Sequence, residues 1–228
     1  MACRRHRLPA TPPFFLPAPI GLGTFGAFIR IRAPIEDRRQ LLDVGVWGPL
    51  AGFLALLPFL VLGTLWSTPA AIEAVGPTQV TDVVLWVPGR SLALRLLATL
   101  FHGPLGPGTT LDLHPFALAA WVGLLVTALN LLPLGQLDGG HILYAAIGRR
   151  QARLAPWLWL LLLAAGLLFW PGWILWSLIT LVMGLRHPPV LDETTPLDRR
   201  RRLLAWLAFG VLVLSFVPVP LDQIPVAR

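Results

Sequence analysis

Four stretches of this chain carry no formal charge, and their lengths decide the environment in which it can fold. Residues 44–66 give 23 uncharged positions in a row, 116–135 give 20, 155–185 give 31 and 203–221 give 19. A helix of roughly 20 residues, rising about 1.5 Å per residue, crosses a hydrocarbon core of about 30 Å. Long helices of a soluble core normally keep a polar face, and none of these runs has one. Charged residues make up only 13% of the sequence, about half the fraction usual in soluble domains. The expectation is an all-α polytopic membrane protein with about four to five transmembrane helices. A disulfide scaffold is excluded by the single cysteine, Cys3, which reads as a packed thiol.

The arginines set the topology. All 18 basic residues are arginine, so a lysine nucleophile or Schiff base is ruled out. Seven lie in residues 1–43, three are Arg149, Arg150 and Arg153, and five fall in 186–202, while only Arg90 and Arg95 separate the first two runs. Short cytoplasmic loops are enriched in such residues. As one helix, 155–185 would reach about 46 Å, too long for a span without strong tilt. Turned back at Trp170-Pro171-Gly172, with legs at 156–170 and 173–185, it brings all three arginine-rich segments to one side. The chain then divides into an N-terminal interfacial segment (1–43), a transmembrane bundle (44–221) and a tail (222–228). Arg199–Arg202 reads as a topology determinant meeting anionic lipid, not a nucleic-acid site. Several tryptophans near the ends of the runs fit an aromatic belt.

Residues 9–35 begin as a proline-braked extended segment with no apolar signal-peptide core. They end in an alternation: Phe28, Arg30 and Arg32 on one side, Ala27, Ile29 and Ile31 on the other. That pattern is a short interfacial β segment, strand or hairpin, or else a surface loop. Residues 83–101 are apolar but contain Pro88, Arg90 and Arg95, which points to an interfacial or re-entrant piece.

Ionisable groups are nearly absent from the runs, which makes Asp138 and His141 conspicuous. They close the segment Asn130-Leu-Leu-Pro-Leu-Gly-Gln-Leu-Asp-Gly-Gly-His141. A carboxylate near lipid depth costs several kcal/mol unless it is paired or binds a cation. Pro133 and the glycines loosen the backbone, which describes a partly unwound helix presenting one carboxylate to an internal site. An equally simple reading has Asp138 capping a helix that starts after Gly140. His141 lies three residues on, where a hydrogen-bonded structural role is the simpler reading. His114 reads as an interface anchor and His6 as exposed. Gly45, Gly48 and Gly52 permit close helix packing.

The pattern Asn130-x-x-Pro133-x-x-x-Leu137-Asp138-Gly139-Gly140 resembles the second signature of the site-2 protease family, the intramembrane zinc metalloproteases. Gly23-Thr-Phe-Gly-Ala-Phe-Ile-Arg-Ile-Arg32 and Gly45-x-x-Gly48-Pro49-x-Ala51-Gly52 also look like its bacterial and plastid-type members. The resemblance implies that Asp138 is a zinc ligand and that Asn130 and Pro133 handle substrate beside the metal. It implies that Gly23, Thr24, Phe25, Gly26, Ala27, Phe28 and Ile29 offer an edge strand to an unwinding substrate. The implied activity is hydrolysis of peptide bonds in membrane-spanning proteins by a zinc-bound water. The implied setting is the lipid bilayer, as a multi-pass protein of a bacterial inner membrane.

The family's other signature, His-Glu-x-x-His, is absent from these 228 residues: no two histidines lie four apart, and no acidic residue follows one. A catalytic zinc ordinarily takes three protein ligands. Two readings compete. Met1-Ala-Cys-Arg-Arg-His6 looks like the tail of the missing helix, so in-frame codons upstream would encode it. Alternatively the chain is a pseudoprotease that binds membrane segments without cutting. A small transporter would require inverted repeats, and the sequence has none.

Overall fold

The first uncharged run folds as helix α1, Arg38–Trp66, which starts earlier than the run itself. Asp37 explains the early start: its Oδ1 accepts the Gln40 N–H at 2.7 Å and its carbonyl the Leu41 N–H at 3.1 Å, the arrangement of an N-cap. The N-terminal segment therefore gives way to helix at Arg38, not at residue 44. The computed structural model describes residues 14–17, 24–28, 34–71, 84–106 and 108–225.

The helices that follow are α2 (Leu92–His102), α3 (Pro115–Asn130), α4 (Asp138–Ile147), α5 (Gln151–Leu168), α6 (Gly172–Met183) and α7 (Arg199–Ser215). A 3-10 turn, Gly148–Arg150, joins α4 to α5. Among the described residues, two stretches are long and apolar enough to cross a membrane, Arg38–Trp66 and Asp138–Leu168. The other helices fall below roughly 20 residues, so the expected count of four to five spans is coarser in the structure: mostly helical, with two candidate spans.

Among the described residues six short strands accompany them. β1 (Phe14–Pro17) pairs antiparallel with β2 (Thr24–Phe28), Phe14 opposite Phe28 and Leu16 opposite Gly26. Gly23 and Ile29 lie outside the described residues, as do Cys3 and His6. β3 (Thr68–Ala71) pairs with β5 (Thr109–Asp112), and β4 (Val84–Pro88) with β6 (Leu221–Pro225).

The chain divides into two compact units. One comprises Met1–Leu50, Asn130–Leu160 and Thr180–Phe209; the other comprises Ala51–Leu129, Leu161–Ile179 and Gly210–Arg228. Among the described residues, Arg38, Arg39, Arg149, Arg150, Arg153, Arg186 and Arg199–Arg202 belong to the first unit, and Arg90 and Arg95 to the second.

The second unit is built around Leu56, Leu60, Leu94, Trp121 and Leu124. Its buried indoles each find a carbonyl: Trp121 Nε1 donates to Gly89 O at 2.7 Å and Trp173 Nε1 to Pro218 O at 2.8 Å, as a buried tryptophan requires. A Cβ at Gly63 would collide with backbone atoms of Phe116 and Ala117, so α1 and α3 touch backbone to backbone there. The 155–185 run breaks between Leu168 and Gly172, and a Cβ on Gly166 would lie 2.6 Å from Ile174 N, so α6 returns against the last turn of α5. The 83–101 segment resolves into β4 followed by α2, whose 11 residues rise only about 16 Å. The last uncharged run does not stay helical to residue 221. α7 ends at Ser215, because Pro218 and Pro220 have no N–H to continue it, and the chain resumes as β6.

Candidate metal centre

The second uncharged run ceases to be a helix at Asn130. Pro133 cannot donate a hydrogen bond. The Leu134 N–H turns back to Leu132 O at 2.8 Å, and Gly135, at φ +53°, donates to Leu185 O at 3.1 Å. Leu137 is extended (φ −66°, ψ 160°), and α4 begins at Asp138, its first bond running from His141 N to Leu137 O at 2.9 Å. The carboxylate is thus neither mid-helix nor before a later helix. It sits in the first turn of α4, where unpaired backbone N–H groups and the helix dipole favour negative charge.

The N-terminal half of α1 packs on that turn. A Cβ on Gly48 would stand 3.8 Å from Asp138 Oδ2, and one on Gly45 would lie 2.9 Å from both Asp138 O and His141 Cβ. Only glycine at position 45 admits this approach. Gly52, expected to serve the same packing, has nothing within 4 Å of its hypothetical Cβ, because the close contact is confined to one turn of α1. Among the described residues no hydrogen bond or ion pair reaches the Asp138 carboxylate.

One turn further along α4, His141 is committed elsewhere. Its Nδ1 lies 2.7 Å from His187 Nε2, and His187 Nδ1 lies 2.5 Å from Pro188 O. A carbonyl only accepts, so His187 carries its proton on Nδ1 and its Nε2 accepts from His141 Nδ1. Burial holds the His187 imidazole below its ordinary pKa, in keeping with this neutral tautomer. Gln151, fully buried, fixes the loop: its Oε1 accepts the His187 N–H at 3.2 Å and its Nε2 donates to Leu185 O at 3.1 Å. His187 has no sequence partner at a ligand-like spacing, and the sequence offered no signal for it.

The donor set can be tested against a zinc ion. Among the described residues no group of three His, Cys, Asp or Glu side chains gathers in one place. Asp138 supplies one carboxylate without a partner, and the His141 Nδ1 is taken by His187. The described residues alone do not complete a zinc site. Asn130, the last residue of α3, is exposed, and Pro133 lines a cavity with Arg38, Leu143 and Trp206.

The sequence profile of peptidase family M50 matches residues 13–168, more than half of the chain. The chain belongs to this family. M50 proteins are membrane-embedded metallopeptidases, in accord with the two apolar helices above. Among curated relatives, the chain is 30% identical over 223 residues to the probable zinc metalloprotease EGY1, chloroplastic, of Arabidopsis thaliana, covering 94% of this chain and 40% of that protein. It is 34% identical over 228 residues to the probable zinc metalloprotease EGY2, chloroplastic, of Oryza sativa subsp. indica, covering 97% of this chain and 40% of that one. The chain therefore spans about two fifths of the length of these M50 relatives. No solved structure matches it. The relatives are named as chloroplastic, so the bacterial inner membrane expected from sequence finds no support among them.

The segment 187–198 that delivers His187 has its own electrostatics. Asp192 accepts from Thr194 N and Thr194 Oγ1 at 2.7 and 2.6 Å and from Thr195 Oγ1. Those hydrogen bonds hold its carboxyl down at about 2, below its ordinary 3.8. Glu193 is held down by Arg149 and the Tyr144 hydroxyl, and Asp198 by the Arg201 backbone N–H and guanidinium. A carboxyl depressed in the folded state contributes stability above its unfolded pKa and loses it as pH falls through the folded one. Amide protection at Thr194, corrected for intrinsic exchange, is therefore expected to be constant above about pH 5 and to decline from about pH 4 toward pH 2. Protection that instead declines on raising the pH would remove the Asp192 turn as its source.

Proposed function

We propose that this chain is the membrane-embedded part of a zinc-dependent intramembrane protease that cleaves transmembrane protein substrates, with Asp138 as one zinc ligand. The observation that carries the reading is a carboxylate, without a partner among the described residues, in the first turn of an apolar helix against a glycine-cleared face of α1. A carboxylate in that setting calls for a cation, and the relatives' names say which. The remaining ligands and the glutamate that activates water would come from sequence outside these 228 residues, since no His-Glu-x-x-His occurs within them. Asn130 and Pro133 are proposed to meet substrate beside the metal. The segment from Gly23 to Ile29 is proposed to add a substrate strand, replacing the helical hydrogen bonds that a membrane segment loses before cleavage.

The test is Asp138→Asn in the longest in-frame protein that contains these residues. Asparagine keeps the shape and removes the charge. Zinc per mole of purified protein is expected to fall at least about tenfold, and cleavage of a model transmembrane substrate to stop, while thermal unfolding shifts little. Undiminished zinc would remove Asp138 from the ligand set. One observation favours a second reading, a pseudoprotease that holds membrane segments without cutting them: the chain lacks the paired-histidine motif. That reading predicts no zinc and no cleavage in the longest protein, with the substrate still retained.

A further inference from the structure

The first unit contains a cavity of about 690 Å³ whose chemistry is divided sharply in two. Its walls are apolar throughout, with Pro133, Leu143, Trp206 and Phe209 among them, and its two remaining lining residues are Arg38 and Arg202. The volume lies within the range of about 300–1,000 Å³ typical of small-molecule sites. Neither arginine is held in an ion pair among the described residues, although Glu193 feels the Arg38 charge at longer range. Arg38 uses Nε and Nη2 on the carbonyls of Ala145 and Ala146, each at 2.8 Å, and it makes no ion pair among the described residues. The Arg202 side chain is exposed and has no hydrogen bond or ion pair among them. This contrasts with Arg201, its neighbour, which is held by two aspartates.

From this we infer an anionic phospholipid site: one acyl chain along the wall formed by Leu143, Trp206 and Phe209, and the phosphate between Arg202 and the free face of the Arg38 guanidinium. Charge complementarity selects the headgroup, because planar guanidinium groups bind phosphate oxygens in pairs, and basic pockets between membrane helices suit such lipids. Away from Pro133, the wall formed by Leu143, Trp206 and Phe209 selects an acyl chain over a peptide. An unwinding peptide needs hydrogen-bonding partners, yet every lining side chain but the two arginines is apolar, and Arg38 already occupies the Ala145 and Ala146 carbonyls. The inference is independent of whether Asp138 holds a metal.

The test uses the purified full protein in vesicles of phosphatidylcholine doped with either phosphatidylglycerol or further phosphatidylcholine carrying brominated acyl chains. Quenching is read as the difference between the wild type and Trp206→Phe, which isolates Trp206 from the other tryptophans. Brominated phosphatidylglycerol is expected to quench this signal at several-fold lower mole fraction than brominated phosphatidylcholine. Arg202→Gln, at an exposed position that folding does not use, is expected to remove that preference. Ala146→Phe, which projects into the cavity from an exposed position, is expected to reduce quenching by both lipids. Inorganic phosphate at millimolar concentration is expected not to compete. Equal quenching by the two lipids in the wild type, an unchanged preference in Arg202→Gln, competition by inorganic phosphate alone, or displacement of the lipid by a model transmembrane peptide would each overturn the site.

Discussion

Replacing Asp43 by asparagine is expected to destabilise the protein by about 1–3 kcal/mol, the range for depriving a buried charged group of a hydrogen-bonded partner. Asp43 is 3% exposed. Its two oxygens take Arg201 Nη2 at 2.6 Å and Nε at 3.0 Å, and Arg201 Nη1 reaches Asp198 at 2.5 Å. The pair is bidentate, and the Asp43 side chain is almost wholly removed from solvent, which places it outside the class of surface pairs whose net contribution is under about 1 kcal/mol. The loss comes from the guanidinium, left with one carboxylate instead of two. The discriminating variant is Asp43→Leu combined with Arg201→Met. It removes both charges and is expected to recover most of the stability that either single change loses. The measurement is denaturant or thermal unfolding in detergent. A double variant no more stable than the worse single one would mean that the aspartate acts through something other than this pair.

The same residue shows where the sequence stops being legible. Arg199–Arg202 stood out as a charge run flanking an apolar one, and a run of four arginines at a membrane boundary reads as lipid-facing on every position. The structure corrects this for Arg201. Helical spacing carries it onto the stripe of Ala205, Ala208, Val211 and Ser215, all of which are buried, and so turns it inward toward Asp43. A helix that is apolar all round has no polar face from which to tell inside from outside, and here the small side chains were the only sign of the packed side. The glycines of α1 behave likewise: Gly45 and Gly52 look equivalent in sequence, and only Gly45 lies under another backbone. Two features were legible for the opposite reason. The helix break at residues 131–137 follows from the missing N–H of Pro133, and the turn at Trp170-Pro171 follows from length and charge together. The first is a constraint that proline carries wherever it is placed, and the second comes from the length of the run and the arginines that flank it. His187 carries none, since a single histidine in a loop acquires a partner only when Gln151 fixes the loop.

The second large effect is expected at Gly139. Built onto that position, a Cβ would overlap the carbonyls of Leu131 and Leu132, and one on Gly140 would overlap those of Leu134 and Gly135. The obstructing atoms are backbone in a turn that is already pinned, so no rotamer change relieves the clash, and the first turn of α4 must lift off residues 131–135. Gly139→Ala is expected to destabilise by on the order of 3 kcal/mol, at the upper end of overpacking changes. A shift of about 1 Å in the turn is also enough to spoil a ligand geometry, so zinc retention in the longest in-frame protein is expected to fall with it. Gly52→Ala makes the control. It lies within α1 with open space around it, and alanine in a helix interior is favoured over glycine by roughly 0.5–1 kcal/mol, so this change is expected to stabilise slightly. The two substitutions are chemically identical and have opposite expected signs, because one position faces backbone and the other faces none. If unfolding experiments find Gly139→Ala as well tolerated as Gly52→Ala, α4 does not begin against the 131–132 turn, and the carboxylate of Asp138 is not held where the metal reading requires it.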